Sequence, residues 1–450
     1  MSEEFENPGQ NTRDSLISFS VEVLRNHGAA ALRTAGVVKS SDSSFSSLYH
    51  HFKSRDDLIR VAATQLIHQS FSVNLKFDES FESIQNFDQF CHLIASTFNE
   101  ISVNPHSIEN RRMQATLIGL STKDPYLREK LKYYYSEIIG SFSHTIQSGI
   151  DRGIDLAQLS PSSFSILLHS LINSRTFIEN DIKLSVVLAD WNKYILWAMI
   201  DSSVKKRNKV VWNPLWGLRI NNPLPVGEDR NQFTINLLEN RDKSERSKVT
   251  IRKTEIIEQT INFLESRSEE NVKVGEVAHE CNIAPSGVYK YFPDKNQLID
   301  DSLITLLNRV SEHETKHITA LLTSGGRKKQ IIAELLDYYT NQIADESVIQ
   351  AKSIYWRVIG RARTNEQLSK EFISNQDNSA RQFISALSHL QEKKFISKEV
   401  NAISIAYLLI GIEHSLYLSL FLAESEELES IQQLKIQFLN FVKSLLTLIL

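Results

Sequence analysis

Apolar residues recur at helical spacing along almost the whole chain. Val274, Val277, Ala278 and Cys281 fall at i, i+3, i+4 and i+7, which makes one stripe of a short helix. Asn282 follows where the chain needs a left-handed backbone, a conformation Asn tolerates better than most residues. Pro285 suits the first turn of a next helix, where its missing N–H would have no partner anyway. The spacing predicts that second helix over 286–292, ended by Pro293, Asp294 and Lys295. Two helices joined by a turn of three or four residues form a helix-turn-helix, the unit whose second helix enters the major groove of DNA.

The same pattern occurs earlier in the chain. Leu16, Ile17, Val21 and Leu24 carry the spacing of Ile256, Ile257, Ile261 and Leu264. Tyr49, His50, His51 and Phe52 stand opposite Tyr289, Lys290, Tyr291 and Phe292, and Arg55 and Leu58 stand opposite Lys295 and Leu298. The offset is constant, 289 − 49 = 240, and a fixed offset kept over about fifty residues marks an internal repeat.

Behind each unit the pattern stays helical. Amphipathic runs cover 87–98, 127–150, 161–178 and 182–200, then 331–343, 348–361, 369–391, 397–423 and 428–450, and no sustained alternation of period two stands out. The fold class expected is all-α, in two similar halves. Residues 1–11 read as a disordered lead. The expected divisions are a first DNA-binding unit over 12–60, its middle degenerate, a helical body over 61–200, a linker over 201–248, a second unit over 249–302 and a second body over 303–450. The linker reading rests on Pro214, Gly217, Pro223, Pro225 and Gly227, with basic residues at both ends.

Composition narrows the class. Hydrophobic content of 41% and charged content of 23%, with 15 Gly and 9 Pro, suit a soluble helical protein. A net charge of −4 means that any DNA-binding surface must come from local placement of charge. Cys91 and Cys281 make no disulfide framework, the polar start has no signal-peptide core, and no apolar run reaches the ~18 residues of a membrane span. A cytoplasmic location is expected, without membrane contact.

A three-helix unit ending in Tyr-x-(His/Tyr)-Phe-x-x-(Lys/Arg)-x-x-Leu, followed by roughly 140 residues of helix, resembles the TetR family of transcriptional regulators, and here the pattern occurs twice. The resemblance implies two readers in successive major grooves, a four-helix bundle between bodies, and a cavity in each body for a small-molecule effector. Two copies in one chain then form an intrachain pseudo-dimer, held at an effective concentration up to about millimolar, with further homo-oligomers left open. The bundle elements expected are 161–200 and 397–450.

Matching positions give the readers. In the second copy Lys273 enters the first helix, Ser286, Lys290 and Tyr291 lie on the recognition helix, and Tyr289 and Lys295 take the places of phosphate contacts. In the first copy these are Arg33, then Ser46, His50 and His51, then Tyr49 and Arg55. Cations give sequence-independent affinity for phosphates, and side chains of the recognition helix reach base edges. A core role for Tyr49 and Tyr289 is the competing reading.

The first copy departs from the pattern in its middle, where Val38 replaces a small residue, Ser43 replaces an apolar one and Asp42 brings a negative charge toward the phosphates. Loose packing around an unpaired hydroxyl is the consequence expected. Residues 11–60 hold seven Lys and Arg against five Asp and Glu, whereas 251–300 hold six against nine, so the better-formed unit is the more acidic one. A basic arm over 241–253 could reach DNA or remain a solvated linker.

Other chemistry is weakly signalled. His313-Glu314-Thr315-Lys316-His317 matches the zinc-protease pattern H-E-x-x-H, but with 13 His in the chain and Lys316 inside it, a solvated helix face is the simpler reading. Phosphate loops, nucleophile elbows and zinc-finger spacings do not occur, so no enzyme activity, cofactor or metal is expected. Aromatic runs such as Tyr338-Tyr339 and Tyr355-Trp356 read as core, with the lining of a cavity as the competing reading. The function expected is a ligand-responsive DNA-binding regulator, by default a repressor, on an imperfectly palindromic double-stranded operator. The alternative is a ligand-binding or interaction module that kept the scaffold and has one working reader or none.

Overall fold

The computed structural model describes residues 8–71, 104–153, 161–177, 248–344, 346–398, 400–422 and 428–449, with isolated positions between 81 and 100. Among them are sixteen α-helices and no strand, so the chain is all-α as its periodicity requires. No helix among the described residues is long and apolar enough to cross a membrane. The proposed linker through residue 247, the run 182–200 and most of 87–98 lie outside the described residues.

The first unit comprises α1 (Pro8–His27), a 3-10 turn (Ala29–Ala31), α2 (Thr34–Ser40), α3 (Phe45–His51) and α4 (Arg55–Phe71). Its first helix therefore begins inside the stretch expected as a disordered lead. The body continues as α5 (Pro105–Ser121), α6 (Pro125–Asp151) and α7 (Pro161–Ser174). The order then returns: α8 (Lys248–Ser266), a 3-10 turn (Glu269–Asn271), α9 (Val274–Glu280), α10 (Pro285–Val288) and α11 (Lys295–Leu322). Behind them lie α12 (Lys328–Ala344), α13 (Glu346–Ala362), α14 (Glu366–Glu392), α15 (Ala402–Leu422) and α16 (Leu428–Ile449). Both α4 and α11 run unbroken from reader into body, so each reader is attached through a continuous helix.

Local chemistry explains the boundaries. Asn104, Asp124 and Asn365 cap α5, α6 and α14 by accepting from N–H groups of the first turn, and Pro105 and Pro125 begin the first two of these. Helix α6 ends before Gly153 at φ 90°, and α14 ends before Lys394 at φ 61°, the left-handed position that terminates many helices. These two stand 394 − 153 = 241 apart, as do Asp124 and Asn365, so the bodies repeat as well, one residue out of step with the readers.

Two apolar clusters hold the molecule, and neither is confined to one half. One joins both readers to α4, α5, α6 and α13, and includes Leu24, Leu48, Ile118, Val277, Leu298 and Ile359. The other takes α7 of the first half into the second body, packing Leu167 and Leu171 with Leu335, Phe383, Tyr407 and Phe441. Helix α5 crosses α13, and α7 lies against α15 and α16. The expected bundle segments, 161–200 and 397–450, therefore meet wherever they are described.

Candidate nucleic-acid interface

The two readers are built on the same backbone. In the second, Val277 and Ala278 bury one face of α9, and Cys281 is buried as a free thiol. Asn282 then turns the chain at φ 53°, and Ile283 N–H donates to Ala278 O at 3.0 Å. In the first, Asp42 occupies the same place at φ 51°, and Ser43 N–H donates to Val38 O at 3.0 Å. Asp shares with Asn the short polar side chain that lowers the cost of this conformation.

The middle of the first reader is better ordered than its composition suggests. Val38 is buried in the shared core, and the Ser43 hydroxyl donates to Ser41 O at 3.1 Å, so the unpaired hydroxyl expected there does not occur. Helix α3 runs for seven residues, and Ser44 caps it by accepting from Ser47 N–H at 3.0 Å. The second reader is the tighter one. Its α10 ends at Val288, and Tyr291 N–H and Phe292 N–H both return to Val288 O, at 3.0 and 3.1 Å, so the helix expected over 286–292 ends early in a turn. A Cβ on Gly287 would lie 3.4 Å from Ile283 atoms, whereas the first reader places Ser47 and Ser43 at those positions. The two exchanges compensate each other in volume.

Tyr49 and Tyr289 are 55% and 49% exposed, which removes the core reading of both. Ser46, His50, Ser286 and Lys290 are exposed beside them, with His51 and Tyr291 half-buried. Arg33 and Lys273 are exposed at the starts of α2 and α9, and Lys273 lies 3.5 Å from Glu276. Phe45, exposed at the start of α3, was not anticipated; its position in a reader helix was the only signal.

Arg55 and Lys295 point elsewhere. Arg55 donates through Nε to Leu32 O at 2.6 Å and through Nη2 to Ala29 O at 2.7 Å. Lys295 Nζ donates to Glu270 O at 2.7 Å, and burial lowers its pKa. In this conformation both cations clamp the 3-10 turn of their own reader. The helical part of the proposed basic arm is also occupied: Arg252 pairs with Glu255, and Lys253 lies 2.7 Å from Asp301 and over the Phe292 ring. Arg241 to Ser247 lie outside the described residues.

Each reader is gripped by the opposite body, through residues that pattern reading passed over. Arg363, just beyond α13, donates through Nη2 to Leu24 O at 3.2 Å and to Arg25 O at the end of α1. Lys123, just beyond α5, donates to Glu265 O at the end of α8. Cations at helix C-termini complement the orphan carbonyls and the helix dipole there.

The H-E-x-x-H pattern separates in space. His313 and His317 are exposed, with His317 stacked on Tyr338 at 4.7 Å, while Glu314 turns inward to Lys352. A buried Glu replaces the solvated face expected there. No cluster of three metal-ligating side chains occurs among the described residues.

No family model matches the chain, and no curated protein matches it. Among solved structures, one similar chain is a protein from Mesorhizobium loti assigned to the TetR family of transcriptional regulators. It is 16% identical, with a TM-score of 0.34, and the match covers 45% of this chain and 98% of that one. A second, from a Rhodococcus species and assigned to the same family, is 20% identical with a TM-score of 0.31, covering 44% and 100%.

Proposed function

We propose that the chain is a DNA-binding transcriptional regulator of the TetR type whose two readers act together as a covalent pseudo-dimer. The observation that carries this reading is the pair of helix-turn-helix units on one backbone plan, each presenting an exposed tyrosine beside an exposed recognition helix. Lys290, Tyr289 and Tyr49 supply phosphate contacts, and Ser286, Ser46 and His50 face base edges. Because α3 and α10 differ in sequence and length, the operator is an imperfect palindrome. Repression, relieved when a small effector binds, is the regulatory mode proposed.

Selection of bound fragments from genomic DNA tests this directly. The wild-type chain enriches one two-part sequence; Tyr289→Ala with Lys290→Ala abolishes recognition of one part, and Tyr49→Ala with His50→Ala abolishes the other. If no sequence is enriched, the chain is instead a ligand-binding or interaction module on a reader scaffold.

A further inference from the structure

The first residue of the recognition helix differs between the two readers. Phe45 opens α3 and Pro285 opens α10, at the constant offset, 285 − 45 = 240. Along 42–52 and 282–292 the exposed, half-buried and buried positions follow one another in the same order, so Phe45 and Pro285 occupy one exposed place of a shared backbone plan. Ser44, which accepts from Ser47 N–H at 3.0 Å, fixes where α3 begins and holds Phe45 at its N-terminal end. Phe45 is 49% exposed, and Tyr49, one turn further on, is 55% exposed on the same side.

The N-terminal end of a recognition helix is the end that reaches base edges. Readout there is mostly hydrogen bonding, and a phenyl ring neither donates nor accepts a conventional hydrogen bond. It also brings no charge to a phosphate. Among the groups that base pairs present in the major groove, one is apolar: the C5-methyl of thymine. Taking that methyl and the facing part of the ring out of water together is favourable. Against any other base edge the ring would cover a polar atom and leave it unpaired, which is costly. Pro285 is apolar too, but its ring closes onto the backbone and stays near the helix axis. It lacks the reach of a phenyl group.

We propose that Phe45 is a specificity-determining residue of the first reader, packing on the C5-methyl of a thymine in its half-site, and that the matching position of the other half-site is read without this contact. The proposal rests on the two-reader reading above and adds the base chemistry by which the half-sites differ.

The test starts from the duplex that the full chain enriches most strongly from a randomised library. Each thymine is replaced in turn by uracil, which keeps every hydrogen-bonding group and lacks the methyl. One replacement, in the half-site lost by Tyr49→Ala with His50→Ala, weakens wild-type binding by about fourfold, as expected for one buried methyl-sized group. Phe45→Ala binds the thymine and uracil duplexes equally, and Phe45→Leu, which keeps apolar bulk, retains part of the discrimination. The Leu variant decides the matter if the Ala variant does not fold. Absence of any discriminating position in that half-site overturns the proposal, as does discrimination undiminished in Phe45→Ala; in both cases the two-reader reading stands. Equal discrimination at the matching position of the other half-site overturns the difference between readers. A library that yields no enriched sequence overturns the proposal and the two-reader reading together.

Discussion

Gly119 and Gly360 occupy equivalent positions of the two halves, and each lets its own helix pass close to the backbone of the other. A Cβ on Gly119 would lie 2.6 Å from Trp356 O, and one on Gly360 would lie 2.9 Å from Thr116 Cα. Because these neighbours are backbone atoms, they cannot swing aside. Gly119→Ala should therefore destabilise the chain by about 1–3 kcal/mol through overpacking, although alanine is the better helix former. Gly140→Ala is the control, since nothing lies within 4 Å of its Cβ position, and it should stabilise by roughly 0.5–1 kcal/mol. Denaturant unfolding followed by circular dichroism measures both. Equal stabilisation by the two changes would mean that the crossing is looser than described.

Lys352, whose side chain is 1% exposed, is shared by Glu314 and by Glu413, the latter at 3.1 Å. Burial raises the Glu314 pKa to about 7; Lys352 opposes this shift and the Glu413 charge adds to it. The folded state thus holds a proton that the unfolded chain releases near 4.5. Stability from this group is complete below about pH 4.5 and is lost as pH rises through about 7. Glu314→Gln should flatten that part of the stability profile, as read by unfolding at a series of pH values. Lys352→Met, which strands two buried carboxylates, should cost about 3–5 kcal/mol.

Asp42 and Asn282 hold the turns of their readers at φ 51° and 53°. Asn282→Val should cost about 1–2 kcal/mol, whereas Asn282→Gly should be close to neutral. Asp42→Asn keeps the turn and removes an exposed negative charge beside α3, so it should tighten DNA binding without changing the melting midpoint. Fluorescence anisotropy with labelled operator and a melting curve on the same sample separate the two effects.

Lys290 and Lys295 lie five positions apart and should behave oppositely. Lys290 is exposed, and Lys290→Ala should reduce the salt dependence of DNA binding by about one counterion with no loss of stability. Lys295 Nζ is bonded to Glu270 O, so Lys295→Ala should lower stability by about 1 kcal/mol even without DNA.

The readers were legible in the sequence because their signature is local: periodic apolar positions, a left-handed turn residue and an offset of 240 that spacing alone exposes. The repeat in the bodies was not. It survives in Gly119 and Gly360, Asp124 and Asn365, and Gly153 and Lys394, and such residues acquire meaning only beside a partner helix or a helix end. Spacing also left side-chain direction open. Arg55 and Lys295 fall where the TetR resemblance places phosphate contacts, yet long flexible side chains can equally reach the carbonyls behind them. Glu314 looked solvated because its neighbours are polar, and its counter-ion, Lys352, arrives from a different helix. The degenerate middle of the first reader misled for a similar reason, since Ser43 finds its acceptor in a turn that composition does not reveal.

The central claim is that one chain uses two unequal readers, and the stoichiometry of its DNA complex tests it most directly. Native mass spectrometry or sedimentation of the chain on a selected operator should give one chain per duplex with both half-sites protected. Tyr49→Ala with His50→Ala should remove protection from one half-site only. Two chains per duplex, each protecting a single half-site through α10, would contradict the account.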